Sequence, residues 1–254
     1  MTNIILSGCG GRMGQAIIRA TQDSDSARIV AGVDINAASV APACTFPVYT
    51  SIDEFPDKAD VIVDFSHHTA LHALLQYATA TGTPIVVATT GHTDEERAEM
   101  LNAAGKIPIF FSGNMSIGIN LLIELCRTAS ETLGVDFDVE IIEKHHNQKL
   151  DAPSGTALML ADAIADTRKD SEYVYDRHSV RKKRESREIG IHSVRGGTIV
   201  GEHEVLFSGN QELITLSHMA TSREIFANGA LRAAIYLDGK SAGMYHMSDL
   251  IRNR

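Results

Sequence analysis

The residues best equipped for chemistry lie in one stretch, Glu143-Lys144-His145-His146-Asn147-Gln148-Lys149-Leu150-Asp151-Ala152-Pro153-Ser154-Gly155-Thr156-Ala157. Two adjacent histidines, with a lysine four positions after the first, bring proton donors and positive charge into a single segment. An unperturbed imidazole titrates at about 6.5, so it exchanges protons near neutrality. Ser154-Gly155-Thr156 after Pro153 reads as a helix start, where open N–H groups attract an anion such as a carboxylate. The set suits protonation of a carbon beside an anionic group. By residue type alone, an adjacent histidine pair serves equally as a surface pair or as metal ligands.

A second segment, Gly8-Cys9-Gly10-Gly11-Arg12-Met13-Gly14, stands directly after an apolar run and before a helical pattern. Glycines there let the backbone turn tightly and approach a pyrophosphate, whose charge meets free N–H groups at the helix start. The spacing is a GxxGxxG variant, with Met13 where a strict GxGxxG has glycine. Asp34 follows 20 residues beyond Gly14, at the end of the next apolar run. A carboxylate there accepts from adenosine ribose hydroxyls and repels a 2′-phosphate. Ile35 and Asn36 offer no neutralising arginine, which favours NADH, while Arg12 nearby in sequence leaves NADPH open. Ala88-Thr89-Thr90-Gly91 and Ser112-Gly113-Asn114-Met115 each close an apolar run. At the carboxyl ends of parallel strands such segments line a ligand crevice.

These segments need a scaffold. Up to about residue 112, short β-branched runs (3–7, 28–34, 60–65, 84–88 and 107–111) alternate with helical patterns (13–21, 69–80 and 94–104), the order of βαβ units around a parallel sheet. After Asn114 the character changes. Residues 117–133 read as one amphipathic helix, and Val135, Phe137, Val139 and Ile141 alternate with acidic residues as a half-buried strand. A helix after Ser154, strands at 189–193, 199–207 and 212–219 with a Gly209-Asn210 turn, and a helix over 222–237 complete the pattern. The spacing therefore predicts two domains. The first, dinucleotide-binding, takes residues 1–115 and 227–254. The second, for substrate binding and oligomerisation, takes 116–226 and has a mostly antiparallel sheet.

Composition narrows the partners. With 23 basic and 32 acidic side chains the chain carries a net charge of −9, which argues against nucleic acid or anionic membrane as a partner. Residues 144–195 nevertheless hold 11 basic against 8 acidic side chains, a local positive excess suited to a dicarboxylate. Cys9, Cys44 and Cys126 lack CxxC spacing, so no metal is expected and a reducing cytoplasm fits. No stretch approaches the roughly 18 apolar residues of a membrane helix, and no export signal is read at the start. His67, His68 and His72 include an i, i+4 pair without the glutamate of a zinc helix, and are expected at a helix start near the cofactor crevice. Arg181-Lys182-Lys183-Arg184 reads as a mobile, solvated loop. Arg195, beside Gly196-Gly197, is a candidate for reaching a carboxylate.

The 143–157 stretch resembles the signature of the 4-hydroxy-tetrahydrodipicolinate (dihydrodipicolinate) reductase family, E-x-H-H-x-x-K-x-D-A-P-S-G-T-A, with every defined position present. The likeness extends through GCGGRMG, DFS at 64–66, ATTG at 88–91, SVRGGTIVGEHEVLF at 193–207 and FANGALRAA at 226–234. The resemblance implies a Rossmann-like parallel-sheet domain plus an α+β domain. It implies NAD(P)H-dependent reduction of (2S,4S)-4-hydroxy-2,3,4,5-tetrahydrodipicolinate to tetrahydrodipicolinate, in lysine and diaminopimelate biosynthesis, by a cytoplasmic homotetramer. On this resemblance His145 is the proton donor or acceptor and Lys149 its cationic partner, with His146, Gly155 and Thr156 binding substrate carboxylate. Cofactor contacts come from Gly8, Cys9, Gly10, Gly11, Arg12, Met13, Asp34, Ala88, Thr89, Thr90, Ser112, Gly113, Asn114 and Met115. Family members that use both cofactors often carry arginine after the ribose-binding acid, where this chain has Ile35. Two alternatives share the first-half pattern: another Rossmann-type amino-acid or sugar oxidoreductase, and a dinucleotide-sensing regulator without a proton donor.

Overall fold

A computed structural model describes residues 1–22 and 24–252 of the chain; residues 23, 253 and 254, which fall within the first expected domain, lie outside the described residues. The strands are β1 (Thr2–Ser7), β2 (Ala27–Val33), β3 (Val48–Tyr49), β4 (Val61–Asp64), β5 (Ile85–Val87), β6 (Pro108–Phe111), β7 (Asp138–His145), β8 (Glu172–Val174), β9 (Glu188–Arg195), β10 (Gly201–Ser208), β11 (Leu213–Ala220) and β12 (Gly243–Tyr245). The α-helices are α1 (Arg12–Gln22), α2 (Ala37–Val40), α3 (Leu71–Thr81), α4 (Asp94–Ala104), α5 (Ile117–Leu133), α6 (Gly155–Ala165), α7 (Glu224–Leu237) and α8 (Met247–Arg252). They form two compact units, one of Met1–Ile117 with Arg223–Arg254, the other of Gly118–Ser222.

In the first unit a parallel sheet runs β12-β6-β5-β4-β1-β2-β3 among the described residues. Its central strands are apolar on both faces, because alternate residues enter two cores. Ile4, Leu6, Val61 and Val63 pack with α1 and α7, and Ile5, Ile62, Ile85 and Leu74 pack on the side of α3 and α4. That is the environment of a doubly covered parallel sheet. Thr93 and Glu96 close a capping box at the start of α4. A 3-10 turn at His68–Ala70 precedes α3, and His68 and His72 bond Glu96 and Glu99 of α4 at 2.8 and 2.6 Å.

The second unit has a mixed sheet, β11-β10-β7-β9-β8. β10 runs antiparallel to both β11 and β7, whereas β7–β9 and β9–β8 are parallel. Val139, Ile141, Val205 and Phe207 face α5 and α6 in its core. The alternation expected from Val135 begins later: Gly134–Asp136 is a 3-10 turn, and Val135 is 64% exposed. In the basic run at 181–184 the first three residues are exposed in a loop, as read, but Arg184 bonds Asp138, Glu140 and the carbonyls of Val139 and Glu188, which anchors the end of the loop to β7 and β9.

Candidate active site

In the first unit the loop between β1 and α1 is shaped by what its glycines exclude. Gly8 adopts φ +77°, and a Cβ there would stand 2.7 Å from the Phe65 carbonyl oxygen. A Cβ on Gly14 would stand 2.3 Å from Gly8 O, so α1 begins pressed against the loop. Gly10 N donates to Asp34 Oδ2 and Asn36 N to Oδ1, both at 2.9 Å. The carboxylate is fixed by backbone donors, and each oxygen keeps capacity to accept from a hydroxyl.

Two cavities open beside this loop. One of about 870 Å³ is lined by Gly8, Gly10, Gly11 and Asp34, with Ile35 and Asn36. Another of about 640 Å³ is lined by Arg12 and Met13, by Ala88, Thr89 and Thr90, and by Gly113, Asn114 and Met115. Phe65, Ser66 and His67 line both. The expected residues Cys9 and Ser112 line neither. Cys9 is fully buried, with its thiol pushed up to about 12 by burial and by nearby Asp34, and Ser112 turns its hydroxyl to the Asn114 carbonyl at 2.8 Å. They shape the walls from behind.

Sequence reasoning missed several wall residues. Buried Asp64 accepts from Ser66 N at 3.0 Å, from Ser66 Oγ at 2.5 Å and from Thr89 Oγ1 at 2.8 Å, and so sets two side chains of the second cavity. The usable signal was its place at the carboxyl end of β4, the same rule that selected the segments after β5 and β6. Arg223 and Phe226 also line the second cavity; Phe226 opens the FANGALRAA likeness but was given no role there, and Arg223 lies three positions before it.

In the second unit the alternation of β7 continues past Ile141 into Glu143 and His145, so two ionisable groups occupy core-facing positions. Glu143 is fully buried and His145 is 8% exposed. Arg195 grips the carboxylate with both ends of its fork, NH1 to Oε2 at 2.8 Å and NH2 to Oε1 at 2.7 Å. His145 Nδ1 lies 2.6 Å from Oε2, and Ser154 N donates to Oε1 at 3.1 Å. Burial alone would raise the Glu143 pKa, but the donors Arg195, His145 and Ser193 outweigh it and hold it at about 2. Burial also acts on His145, bringing its pKa below the usual value despite the pull of Glu143.

Ser154 caps α6 by accepting from Ala157 N at 3.2 Å, and its hydroxyl lies 3.0 Å from His203 Nε2. His203 is 4% exposed and is pushed down to about 4, first by burial and then by the charge of His145. The two imidazoles meet edge to face, with centroids 5.2 Å apart. Lys149 Nζ pairs with Asp151 Oδ2 at 2.9 Å, and its charge reaches His145. Lys149 N donates to His146 O at 3.2 Å, a tight turn that keeps both residues in one loop. Gly155 opens α6 with clear space where a side chain would stand, and Thr156 follows in the same turn. Arg195, a candidate for reaching a carboxylate, has found one inside the chain, that of Glu143.

A parallel sheet with a glycine-shaped loop and a strand-end acid is how α/β proteins hold a dinucleotide, and the residues present fit one. The fold of the first unit is thus that of a dinucleotide-binding protein, and the second unit holds a buried imidazole paired with a carboxylate. Two family models then account for nearly the whole chain: dihydrodipicolinate reductase, N-terminus, over residues 2–115, and its C-terminus over 118–251. The chain belongs to the dihydrodipicolinate reductase family. It is 48% identical over 253 residues to the 4-hydroxy-tetrahydrodipicolinate reductase of Caldanaerobacter subterraneus, covering 99% of each chain. To the reductase of the same name from Clostridium novyi it is 46% identical across the full length of both. A solved dihydrodipicolinate reductase from a Paenisporosarcina species, with dipicolinate bound, superposes with a TM-score of 0.80 at 27% identity over 97% of both chains. The chain is accordingly an NAD(P)H-dependent oxidoreductase with a Rossmann-like unit.

Proposed function

We propose that the chain reduces 4-hydroxy-tetrahydrodipicolinate to tetrahydrodipicolinate, in lysine and diaminopimelate biosynthesis, with the first unit holding the dinucleotide and the second the substrate. The two compounds differ by one oxygen: the 4-hydroxyl leaves as water with a hydrogen from the neighbouring carbon, and the more unsaturated ring so formed takes up one hydride and one proton. The dinucleotide, when bound, supplies the hydride. The loop from Gly8 to Met13 holds its pyrophosphate on backbone N–H groups, and Asp34 accepts from its ribose. Ala88, Thr89 and Thr90, with Ser112 to Met115, wall the nicotinamide. His145 delivers the proton to the carbon that gains electron density, and Lys149 stabilises the developing negative charge. His146 and the N–H groups of Gly155 and Thr156 hold a substrate carboxylate. The observation that carries this reading is the buried His145–Glu143 pair, one loop before the open start of α6.

NADH is the favoured cofactor. Among the described residues no lysine or arginine lines the cavity around Asp34, and Arg12 lines the other one. A 2′-phosphate beside Asp34 would meet repulsion with no cation to offset it. The chain assembles as a homotetramer through the sheet of the second unit, whose β11 exposes Leu213 and Met219 at 59% and 63%. Its three free cysteines suit the cytoplasm, and among the described residues no helix is long and apolar enough to cross a membrane.

The test is steady-state turnover with substrate generated in situ by the preceding synthase. Purified protein oxidises NADH, and His145→Ala and Lys149→Ala each lower kcat by about 100-fold or more. Near-native turnover in both variants would sink the reading. Binding of NADH without turnover would mark a sensor instead.

A further inference from the structure

Hydrogen bonds converge on Glu143 from three segments: His145 on its own strand, both ends of the Arg195 fork and the Ser193 hydroxyl on β9, and Ser154 N at the start of α6. The strand register makes this convergence possible. His145 stands opposite Arg195 across the β7–β9 pair, and Glu143 stands opposite His203 across β7–β10. Glu143 and His145 are two apart on one strand, so their side chains share a face.

This arrangement constrains which ring nitrogen does the work. A carboxylate only accepts, so the Nδ1 that faces Glu143 carries a hydrogen, and the proton that leaves His145 leaves from Nε2. That nitrogen looks toward Gly201, where a Cβ would stand 3.1 Å from it. Arg195, in turn, has few donors to spare. NH1 also donates to Val194 O at 2.8 Å and NH2 to Asp151 O at 2.7 Å, while Nε is buried without a partner among the described residues.

We propose that Glu143 is the positioning residue of the proton donor: it holds His145 by Nδ1 so that Nε2 alone serves the substrate. Through Ser154 N it sets the start of α6 in the same frame, with Arg195 as its counter-ion and not a substrate ligand. This rests on His145 being the proton donor. The charged and titratable groups that act on His145 are Glu143 on β7, Arg195 on β9, His203 on β10 and Lys149 from the following loop; Asp151 of that loop pairs with Lys149.

The decisive measurement is kcat against pH at saturating NADH and substrate. A protonated His145 is required, so kcat falls on the alkaline side. Glu143→Gln removes the charge that favours the imidazolium; kcat drops roughly 100-fold and the alkaline limb moves to lower pH. Arg195→Met leaves the carboxylate uncompensated beside His145, so the limb moves to higher pH, while the Kd for pyridine-2,6-dicarboxylate is unchanged. Displacement in the same direction, or none, overturns the proposal. So does loss of dicarboxylate affinity in Arg195→Met with the limb in place, since that marks a substrate ligand.

Should either variant misfold, the wild-type protein still decides. A two-bond nitrogen–proton correlation spectrum of histidine-labelled protein, with His145 assigned from His145→Gln, reports the neutral tautomer. The Nδ1–H form is expected, and the Nε2–H form refutes the role of Glu143. If His145→Ala keeps full turnover, the donor reading itself fails. If it abolishes turnover while the limbs stay fixed, only the positioning role fails.

Discussion

Gly10 donates its backbone N–H to Asp34 Oδ2 at 2.9 Å, and a Cβ on Gly10 would stand 2.8 Å from that same oxygen. The loop and the acid are therefore fitted to each other before any ligand arrives. Gly10→Ala pushes the carboxylate aside and is expected to raise the Kd for NADH about tenfold, the effect of about 1.4 kcal/mol, the size of a displaced hydrogen bond. Calorimetry checks it, with kcat at saturation close to wild type. An unchanged Kd means that Asp34 does not contact the cofactor.

Ile35 is 86% exposed at the rim of the cavity that holds Asp34. Placing a guanidinium there supplies the missing partner for a 2′-phosphate. Ile35→Arg is expected to raise kcat/KM for NADPH about tenfold, with little change for NADH. Parallel assays with both cofactors decide it, and an unmoved ratio places the adenosine ribose elsewhere.

A methyl group at position 201 would crowd His145 Nε2 at 3.1 Å. Gly201→Ala is expected to lower kcat by about tenfold or more through a misplaced donor, while NADH affinity stays as in wild type. Stopped-flow hydride transfer separates this from slow product release. A kcat at the wild-type level would show that Nε2 does not face the reaction.

Acid stability in the second unit draws on His203 and Glu143, with His145 and Glu188 shifted in the same direction. His203 titrates at about 4 against an ordinary 6.5, so between those values the unfolded chain binds the extra proton and stability falls as pH falls. The full loss is about 3 kcal/mol for this buried ring. Glu143, held at about 2 against 4.5, adds a second loss below pH 4.5. Urea midpoints measured from pH 7 to 3 are expected to drop in these two stages. In His203→Gln the upper stage shrinks and the lower one remains; an unaltered upper stage assigns it to another group.

Much of this was legible in the residues. The βαβ order of β1, β2, β4, β5 and β6 followed from apolar runs, whereas β3, two residues long, went unread, and residues 117–133 form the helix read from their spacing. The 143–157 stretch stood out because unusual residue types sat at close spacing, and the structure brings its Glu143, His145 and Ser154 together. Local signals failed where partners are distant. Nothing near Arg195 in sequence announces Glu143, 52 positions away, and β8 and β12, three residues each, are too short to carry a period. The anchoring of Arg184 was hidden for the same reason: its partners Glu140 and Asp138 lie on β7, 44 and 46 positions away. Period two did place Glu143 and His145 on the face of Ile141, but polarity there hid that they continue a buried row.

That row has a consequence for how the protein tolerates change. Ile141, Glu143 and His145 lie on one face of β7, successive members spaced by about 7 Å. The strand that organises the apolar interior of the second unit thus also carries the proton-bearing ring. A lost methyl group in that interior shifts the strand, and the shift reaches the ring within one or two side chains. On the proton-donor role proposed for His145, drift among hydrophobic residues, harmless in a protein whose site sits on loops, is screened by turnover as well as by folding.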